Sequence, residues 1–205
     1  MACAGAKAQP AAMADTPVHV VALGDSLTAG LGLPLNASFP AKLESALRSK
    51  GMAVEITNAG VSGDTASGGL ARLDWSVPQG TDAVIVELGA NDMLRGIDPK
   101  LTQAALAEIL QRLNARHIAV LLAGMRAAPN LGADYGRNFE SIYSELAAKE
   151  GALLYPFFLD GVAGEAKLNQ PDGLHPSAAG VEEIVRRILP EVEELVSRVR
   201  TKQPM

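Results

Sequence analysis

A serine and a histidine occur where the chain could build a nucleophilic centre. Ser26 follows directly after an apolar run that ends at Leu23. A serine hydroxyl is a weak nucleophile unless a neighbouring base activates it. Of the three histidines, only His175 is expected at the same edge of the fold as Ser26, because His19 and His117 begin strands at the other edge. The pattern therefore predicts Ser26 as a nucleophile and His175 as its base.

An acidic residue, Asp172, stands three positions before His175. A carboxylate this close can accept a hydrogen bond from one imidazole nitrogen and leave the other free to act as a base. Pro176 disfavours helical backbone at His175 and suits the first turn of a helix, so we expect the imidazole at a helix entrance. The alternative is purely structural, because Pro-Asp-Gly is a favourable turn sequence without any chemistry.

Two glycine-containing loops could supply hydrogen-bond donors to a negatively charged oxygen. The loop 58–64 contains Gly63, and a residue without a side chain lets a backbone N–H approach a ligand closely. The loop 89–92 contains Asn91, whose side-chain amide can donate. Acyl transfer requires such donors, because an oxyanion forms when a carbonyl is attacked. Each loop is also compatible with an ordinary turn.

Ser26 has two non-catalytic interpretations as well. It could cap a short helix, or it could help Gly24 to cradle a phosphate. The sequence contains no Gly-x-x-x-x-Gly-Lys-Ser/Thr motif, and Gly30-Leu31-Gly32 lacks the third glycine of a dinucleotide fingerprint. The Gly-x-Ser-x-Gly elbow of the α/β-hydrolases is absent too, so a serine enzyme here would use another scaffold.

Short apolar runs alternate along the chain with longer amphipathic segments. The runs are almost free of polar groups, which is typical of strands covered on both faces. The predicted strands are 18–23, 53–57, 83–88, 118–122 and 152–155. The predicted helices are 40–50, 66–73, 101–115, 137–150 and 176–200, and Pro190 should kink or split the last one.

This alternation predicts an α/β fold in which one parallel sheet lies between two layers of helices. Ligands of such sheets bind outside the carboxyl ends of the strands. The predicted strands place four candidate residues on loops at that edge, namely Ser26, Gly63, Asn91 and His175.

The composition indicates one domain with a sizeable core, because 48% of the 205 residues are hydrophobic. The net charge of −5 disfavours nucleic acid as a partner, and the longest apolar stretch is too short for stable membrane insertion. The single cysteine, Cys3, excludes an intramolecular disulfide. We expect a disordered or signal-derived segment over 1–17, a folded domain over 18–200 and a disordered tail over 201–205. The Ala-Met-Ala sequence at 12–14 is similar to the end of a secretory signal.

Four motif blocks together resemble those of the SGNH hydrolases, also called GDSL esterases and lipases. The blocks are Gly24-Asp25-Ser26-Leu27, Asn58-x-x-x-x-Gly63, Gly89-x-Asn91-Asp92 and Asp172-x-x-His175, in the family's order and spacing. The resemblance runs from about Val18 to the last helix. Three flanking segments, 86–89, 94–96 and 155–158, are most similar to the bacterial branch of thioesterase I, lysophospholipase and arylesterase.

The resemblance implies a flavodoxin-like three-layer α/β/α sandwich with five parallel strands in the order 2-1-3-4-5. It implies Ser26 as nucleophile, an Asp172–His175 pair, and an oxyanion hole made by the N–H groups of Ser26 and Gly63 with the Asn91 amide. The expected substrates are aryl esters, acyl thioesters and lysophospholipids, hydrolysed through an acyl-enzyme without cofactor or metal. The branch is commonly periplasmic, so we expect a periplasmic or secreted enzyme, and a cytoplasmic one if 1–17 is a native tail.

Several apolar side chains near the expected site could line a channel for an acyl chain, although such residues are equally typical of a core. They are Met93, Leu94, Ile97, Phe157 and Phe158. Arg126 and Arg137 flank a segment at the same edge, where they could meet a phosphate-bearing leaving group or simply be solvated.

Three other functions are compatible with parts of the pattern. A carbohydrate O-acetyl esterase would use the same constellation beside a shallow polar pocket. A noncatalytic binding module would lack a member of the triad, and none is missing. A metal-dependent hydrolase would use Asp64, Asp92 and Asp172 with His175. The sequence makes no prediction of the oligomeric state.

Overall fold

A five-stranded parallel sheet forms the centre of the molecule. The computed structural model describes residues 16–202. Its strands are β1 (Val18–Gly24), β2 (Val54–Gly60), β3 (Ala83–Glu87), β4 (Ala119–Ala123) and β5 (Leu153–Tyr155). They are arranged as β2-β1-β3-β4-β5, and every neighbouring pair is parallel. The strand order implied by the family resemblance is confirmed.

Helices cover both faces of this sheet. They are α1 (Ser26–Ala29), α2 (Phe39–Ser49), α3 (Ala66–Ala71), α4 (Leu73–Ser76), α5 (Ala90–Leu94), α6 (Pro99–Ala115), α7 (Ala133–Glu150) and α8 (Ala178–Lys202). Helix α2 packs against α8 in one layer, whereas α6 contacts α3 and α7 in the other. Short 3₁₀ helices occur at Leu35–Ala37 and Pro129–Leu131. The predicted three-layer α/β/α sandwich is confirmed.

The strand register determines where the loops that follow β1, β2 and β3 leave the sheet. Gly24, the last residue of β1, pairs with Gly60 of β2 and with Glu87 of β3. The three central loops therefore begin side by side at one edge. Every residue of β3 and β4 is buried, which explains why these strands are continuous apolar runs in the sequence.

The outer strand β2 is covered along its free edge by polar side chains of α2. Glu44 accepts a hydrogen bond from the backbone N–H of Ile56 at 2.6 Å, and Arg48 donates to the carbonyl of Val54 at 2.9 Å. Glu44 and Arg48 also form an ion pair at 3.3 Å. Occupied backbone groups cannot pair with another chain, so this edge is protected.

Four details differ from the sequence-based expectations. Helix α8 is one continuous helix across Pro190, not two. It begins at Ala178, two residues later than predicted, and includes Thr201 and Lys202 of the expected C-terminal tail. The short helices α1 and α5 were expected as loops. The expected N-terminal tail lies, up to residue 15, outside the described residues, as do residues 203–205. Within 16–202, no helix has both the length and the apolar composition needed to cross a membrane.

Candidate active site

The turn between β1 and α1 presents Ser26 at the edge of the sheet. Asp25 caps α1 by accepting a hydrogen bond from the Leu27 N–H at 2.9 Å, which leaves Ser26 as the first helical residue. Gly24 is required by close packing, because a Cβ atom there would lie 2.1 Å from the Thr28 hydroxyl oxygen. The side chain of Ser26 is consequently held on a rigid and nearly buried turn.

A closed turn before α8 carries Asp172 and His175. The backbone N–H of Gln170 donates to the carbonyl of His175 at 2.7 Å, and that of Gly173 donates to the carbonyl of Gln170 at 2.9 Å. The Gln170 side chain also donates to the carbonyl of Leu31 at 2.7 Å, which attaches this turn to the loop after α1. His175 is therefore presented by a turn rather than by the predicted helix entrance.

The structure brings Ser26, His175 and Asp172 into one hydrogen-bonded series. The Nε2 atom of His175 lies 2.9 Å from Ser26 Oγ, and its Nδ1 atom lies 2.7 Å from Asp172 Oδ2. A proton on Nδ1 can bind the carboxylate while Nε2 accepts from the serine hydroxyl. Backbone N–H groups of His175 and Leu174, together with the imidazole, lower the pKa of Asp172 to about 2. The carboxylate is thus ionised at neutral pH.

Three hydrogen-bond donors lie on the neighbouring loops of β1, β2 and β3. Among residues 16–202, the backbone N–H groups of Ser26 and Gly63 have no acceptor. The side-chain Nδ2 of Asn91, on α5, donates to Asp25 Oδ2 at 2.9 Å and retains a second hydrogen. Gly63 has a φ of 86°, a left-handed backbone conformation in which a side chain would be strained.

A buried arginine that the sequence analysis did not single out ties two of these loops together. Arg72 donates to the Gly24 carbonyl at 2.9 Å and to the Ala59 carbonyl at 2.8 Å, at the ends of β1 and β2. It also pairs with Asp64, the residue after Gly63, at 2.6 Å. The guanidinium therefore fixes the Ser26 turn relative to the Gly63 loop.

Asp92 and Arg95 join the Gly63 loop to α5. Asp92 accepts from the Ala66 N–H at 2.9 Å and from the Thr102 hydroxyl at 3.0 Å. Arg95 donates to the carbonyl of Gly63 at 2.7 Å. Asp64, Asp92 and Asp172 thus have separate partners, and residues 16–202 form no group of three or more His, Cys, Asp or Glu side chains placed to hold a metal ion.

Two acidic side chains are buried next to the turn that carries Ser26. Glu87 Oε2 accepts from the Thr28 hydroxyl at 2.8 Å and faces the Asp25 N–H at 3.4 Å, whereas Oε1 has no partner. Burial, followed by the charge of Asp25, raises the pKa of Glu87 well above its usual value. Burial also raises the pKa of Asp25 to about 6, although its Leu27 and Asn91 donors oppose the shift. This pair therefore retains protons that an unfolded chain would release.

The buried pair of Glu87 and Asp25 should make the folded protein less stable as the pH rises. We predict that the Glu87→Gln variant loses less stability over this pH range than wild type does. An acid with a raised folded-state pKa binds more protons folded than unfolded, so stability falls as the pH rises from the unfolded pKa through the folded one. The window therefore begins near 4 and extends past 6. Each pKa unit corresponds to about 1.4 kcal/mol, or roughly 3–6 °C in melting temperature at this size.

The measurement is the melting temperature of wild type and variant between about pH 4 and pH 8. The difference in melting temperature between Glu87→Gln and wild type should be several degrees more favourable to the variant at the alkaline end of this range than at the acidic end. Glu140→Gln, at an exposed position of α7, is the matched control and should follow wild type. Parallel curves for all three proteins would show that Glu87 is ionised in the fold without penalty.

A cavity of about 310 Å³ opens beside the serine and the histidine. Ser26, His175 and Asn91 line it together with mostly apolar side chains. Met93, Leu94 and Phe157, which were predicted to line an acyl channel, are among them. Ile97 and Phe158 are not.

Phe158 is fully buried instead, with its ring edge-on to that of Phe39 at 4.9 Å. Of these two adjacent residues, Phe157 lines the cavity and Phe158 packs in the core. Ile97 contributes its backbone carbonyl, which accepts from the Tyr135 hydroxyl at 2.9 Å. For these two residues the structure corrects the predicted lining.

The fold and the site together define a hydrolase of the SGNH type. Residues 22–182 match the profile of the GDSL-like lipase/acylhydrolase family. The chain belongs to this family and is a carboxylic ester hydrolase acting on small-molecule esters.

Named relatives agree with this assignment. The chain is 38% identical to the esterase TesA of Pseudomonas aeruginosa over 178 residues, which cover 86% of this chain and 89% of the relative. It is 40% identical to thioesterase 1/protease 1/lysophospholipase L1 of Escherichia coli K12, over 82% of this chain and 78% of the relative. The crystal structure of AlinE4, an SGNH-hydrolase family esterase, is 48% identical with a TM-score of 0.75, and the match covers 89% of this chain and 98% of AlinE4.

Proposed function

We propose that this esterase works through an acyl-enzyme on Ser26, with His175 as general base and Asp172 as the group that orients it. The observation that carries the proposal is the pair of contacts at the imidazole, 2.9 Å to Ser26 Oγ and 2.7 Å to Asp172 Oδ2. This arrangement supports a tautomer with the proton on Nδ1 facing the carboxylate, which leaves Nε2 to accept from the serine hydroxyl.

The reaction then follows from this geometry. His175 Nε2 removes the hydroxyl proton as Ser26 Oγ attacks the ester or thioester carbonyl. The N–H groups of Ser26 and Gly63 and the Asn91 amide stabilise the resulting oxyanion. The imidazolium returns its proton to the leaving alcohol or thiol, and an ester of Ser26 forms. A water molecule, deprotonated by the same nitrogen, then releases the acid and restores the serine.

The cavity supports acyl chains of short to medium length as substrates. Its walls carry Met93, Leu94 and Phe157, and the part of the chain that the structure describes contributes no acidic side chain to them. Its volume of about 310 Å³ is at the lower end of the range for ligand pockets, roughly 300–1,000 Å³. Aryl esters, acyl thioesters and lysophospholipids all present such an acyl group. The apolar lining gives no support to a carbohydrate O-acetyl esterase, which would need polar contacts to a sugar.

Covalent labelling combined with an ester series tests this function. A fluorophosphonate should add one label per chain, and peptide mass spectrometry should locate it at Ser26. With p-nitrophenyl esters from acetate to palmitate, kcat/KM should rise by up to about fourfold per methylene, since each buried methylene contributes about 0.8 kcal/mol. It should then fall once the chain exceeds the cavity. A label on another residue, or an optimum at acetate, would contradict the proposal.

We also propose that the enzyme acts in the periplasm or outside the cell. The support is the Ala-Met-Ala sequence at 12–14, which is similar to the end of a secretory signal.

A further inference from the structure

Arg126 differs from every other arginine among residues 16–202. Each of the others donates to a carbonyl or pairs with a carboxylate, as Arg137 does with Asp134. Arg126 has no hydrogen-bond or ion-pair partner within the described part of the chain. Its single directional contact is with an aromatic ring, because its guanidinium carbon lies 4.9 Å from the centroid of Phe157. Its five N–H donors are therefore available to a ligand.

This free guanidinium belongs to the active-site cavity. Arg126 and Phe157 both line it, together with Ser26 and His175. Among the lining residues that belong to 16–202 there is no Asp, Glu or Lys, so within this range Arg126 carries the only fixed charge of the cavity, a positive one in a chain of net charge −5. Stacking on Phe157 restrains the side chain, which reduces the entropy lost when its planar fork binds an oxyacid.

The sheet order gives the separation between the backbone segments that carry Arg126 and Ser26. Ser26 follows β1 and Arg126 follows β4, and only β3 lies between these strands. Neighbouring strands are about 4.8 Å apart, so the two positions are separated by roughly 10 Å across the sheet edge. The apolar side chains of α5 lie between them, with Met93 and Leu94 on the cavity wall.

We propose that Arg126 binds an anionic group of the substrate, a carboxylate or a phosphate, held roughly 10 Å from the scissile ester. An apolar segment would connect the two, because the intervening wall is apolar. The proposal rests on the ester hydrolysis described above and adds a specificity determinant to it. Carboxylate and phosphate share the geometry that an arginine fork binds in a bidentate manner. The anion can be carried by the acyl chain or by the leaving group.

Two matched substrate pairs distinguish these sources. For the acyl side, mono-p-nitrophenyl suberate is compared with its methyl ester, which lacks the carboxylate charge. For the leaving-group side, 6-(octanoyloxy)hexanoate is compared with 6-(octanoyloxy)hexanamide, which lacks the carboxylate charge. Each pair is assayed with wild type, Arg126→Gln and Arg137→Gln at one ionic strength. Arg137 is the matched control because it lies near the same loop, loses the same charge and does not line the cavity.

The measured quantity is the ratio of kcat/KM for the anionic substrate to that for the neutral one. We expect Arg126→Gln to lower this ratio about tenfold or more in at least one pair, as expected for losing a hydrogen bond between charged groups. Arg137→Gln should leave both ratios at the wild-type value. The pair that responds identifies the part of the substrate that carries the anion.

Equal ratios in the Arg126→Gln and Arg137→Gln variants, for both pairs, would overturn the proposal. Failure of the proposed Ser26 mechanism would give a different result. Wild type would then hydrolyse neither of the two neutral substrates, or it would hydrolyse them while the fluorophosphonate labelled a residue other than Ser26. Hydrolysis of the neutral esters with unchanged ratios would reject Arg126 alone.

Discussion

The Ser26→Ala variant should fold normally and lose ester hydrolysis, with kcat reduced by about 10⁴- to 10⁶-fold. The Oγ atom is the only part of the residue removed, and it lies 2.9 Å from His175 Nε2. Without it no acyl-enzyme can form, and only slow attack by water remains. Steady-state hydrolysis of p-nitrophenyl butyrate measures the loss, and circular dichroism with a thermal melt checks the fold.

Ser144→Ala is the matched control for this experiment. Ser144 is exposed on α7, away from the cavity, and its hydroxyl donates only to the Ser141 carbonyl. It should retain wild-type kcat. If a well-folded Ser26→Ala variant keeps activity within about a hundredfold of wild type, a different nucleophile performs the reaction.

Asn91→Ala should lower kcat by about 10²- to 10³-fold with little change in KM. In the proposed mechanism the amide binds the oxyanion, which exists in the transition state and not in the bound ester, so its loss should affect catalysis more than ground-state binding. Asn91 is suited to this role because its Nδ2 is held by Asp25 at 2.9 Å and its second hydrogen is free. A pre-oriented donor does not have to reorganise during the reaction.

The variant also leaves Asp25 without one of its hydrogen bonds, so stability has to be measured alongside the rate. Asn138→Ala, an exposed substitution of the same type on α7, provides the comparison and should be close to wild type in both respects. A loss in kcat of less than about tenfold in a folded Asn91→Ala protein would exclude the amide as an oxyanion donor.

The long elements of this fold could be predicted because their patterns extend over many residues. Helix α6 was expected over 101–115 and occurs as Pro99–Ala115. The four-residue α1 and five-residue α5 have too few turns for a helical period, so no such pattern could indicate them. At Pro190 the sequence left a kink or a split open, and the helix is not split. Apolar side chains on both sides of Pro190 pack into the core, and this packing outweighs one lost backbone hydrogen bond.

The residues of the candidate site are easier to find from the sequence than the residues that support them. Ser26, Asn91 and His175 stand in short motifs beside predicted strand ends. Arg72 lies within a predicted helix, and nothing in its neighbourhood distinguishes it from a solvated arginine. Its hydrogen bonds to Gly24 and Ala59 depend on how two distant strands end. Glu87 did leave a signal, as a lone acidic residue in the otherwise apolar run 83–88.

The separation of the reacting groups along the chain has a consequence for biosynthesis. Ser26 and His175 are 149 positions apart, and the turn that carries the histidine is held to the loop after α1 through Gln170 and Leu31. Domains begin to fold from the N-terminus while the ribosome is still adding residues. A nascent chain that has completed β1 to β4 therefore presents Ser26 without His175. If the proposed mechanism holds, hydrolysis can begin only after the last segment has been synthesised and docked, so truncated products should be inert towards esters.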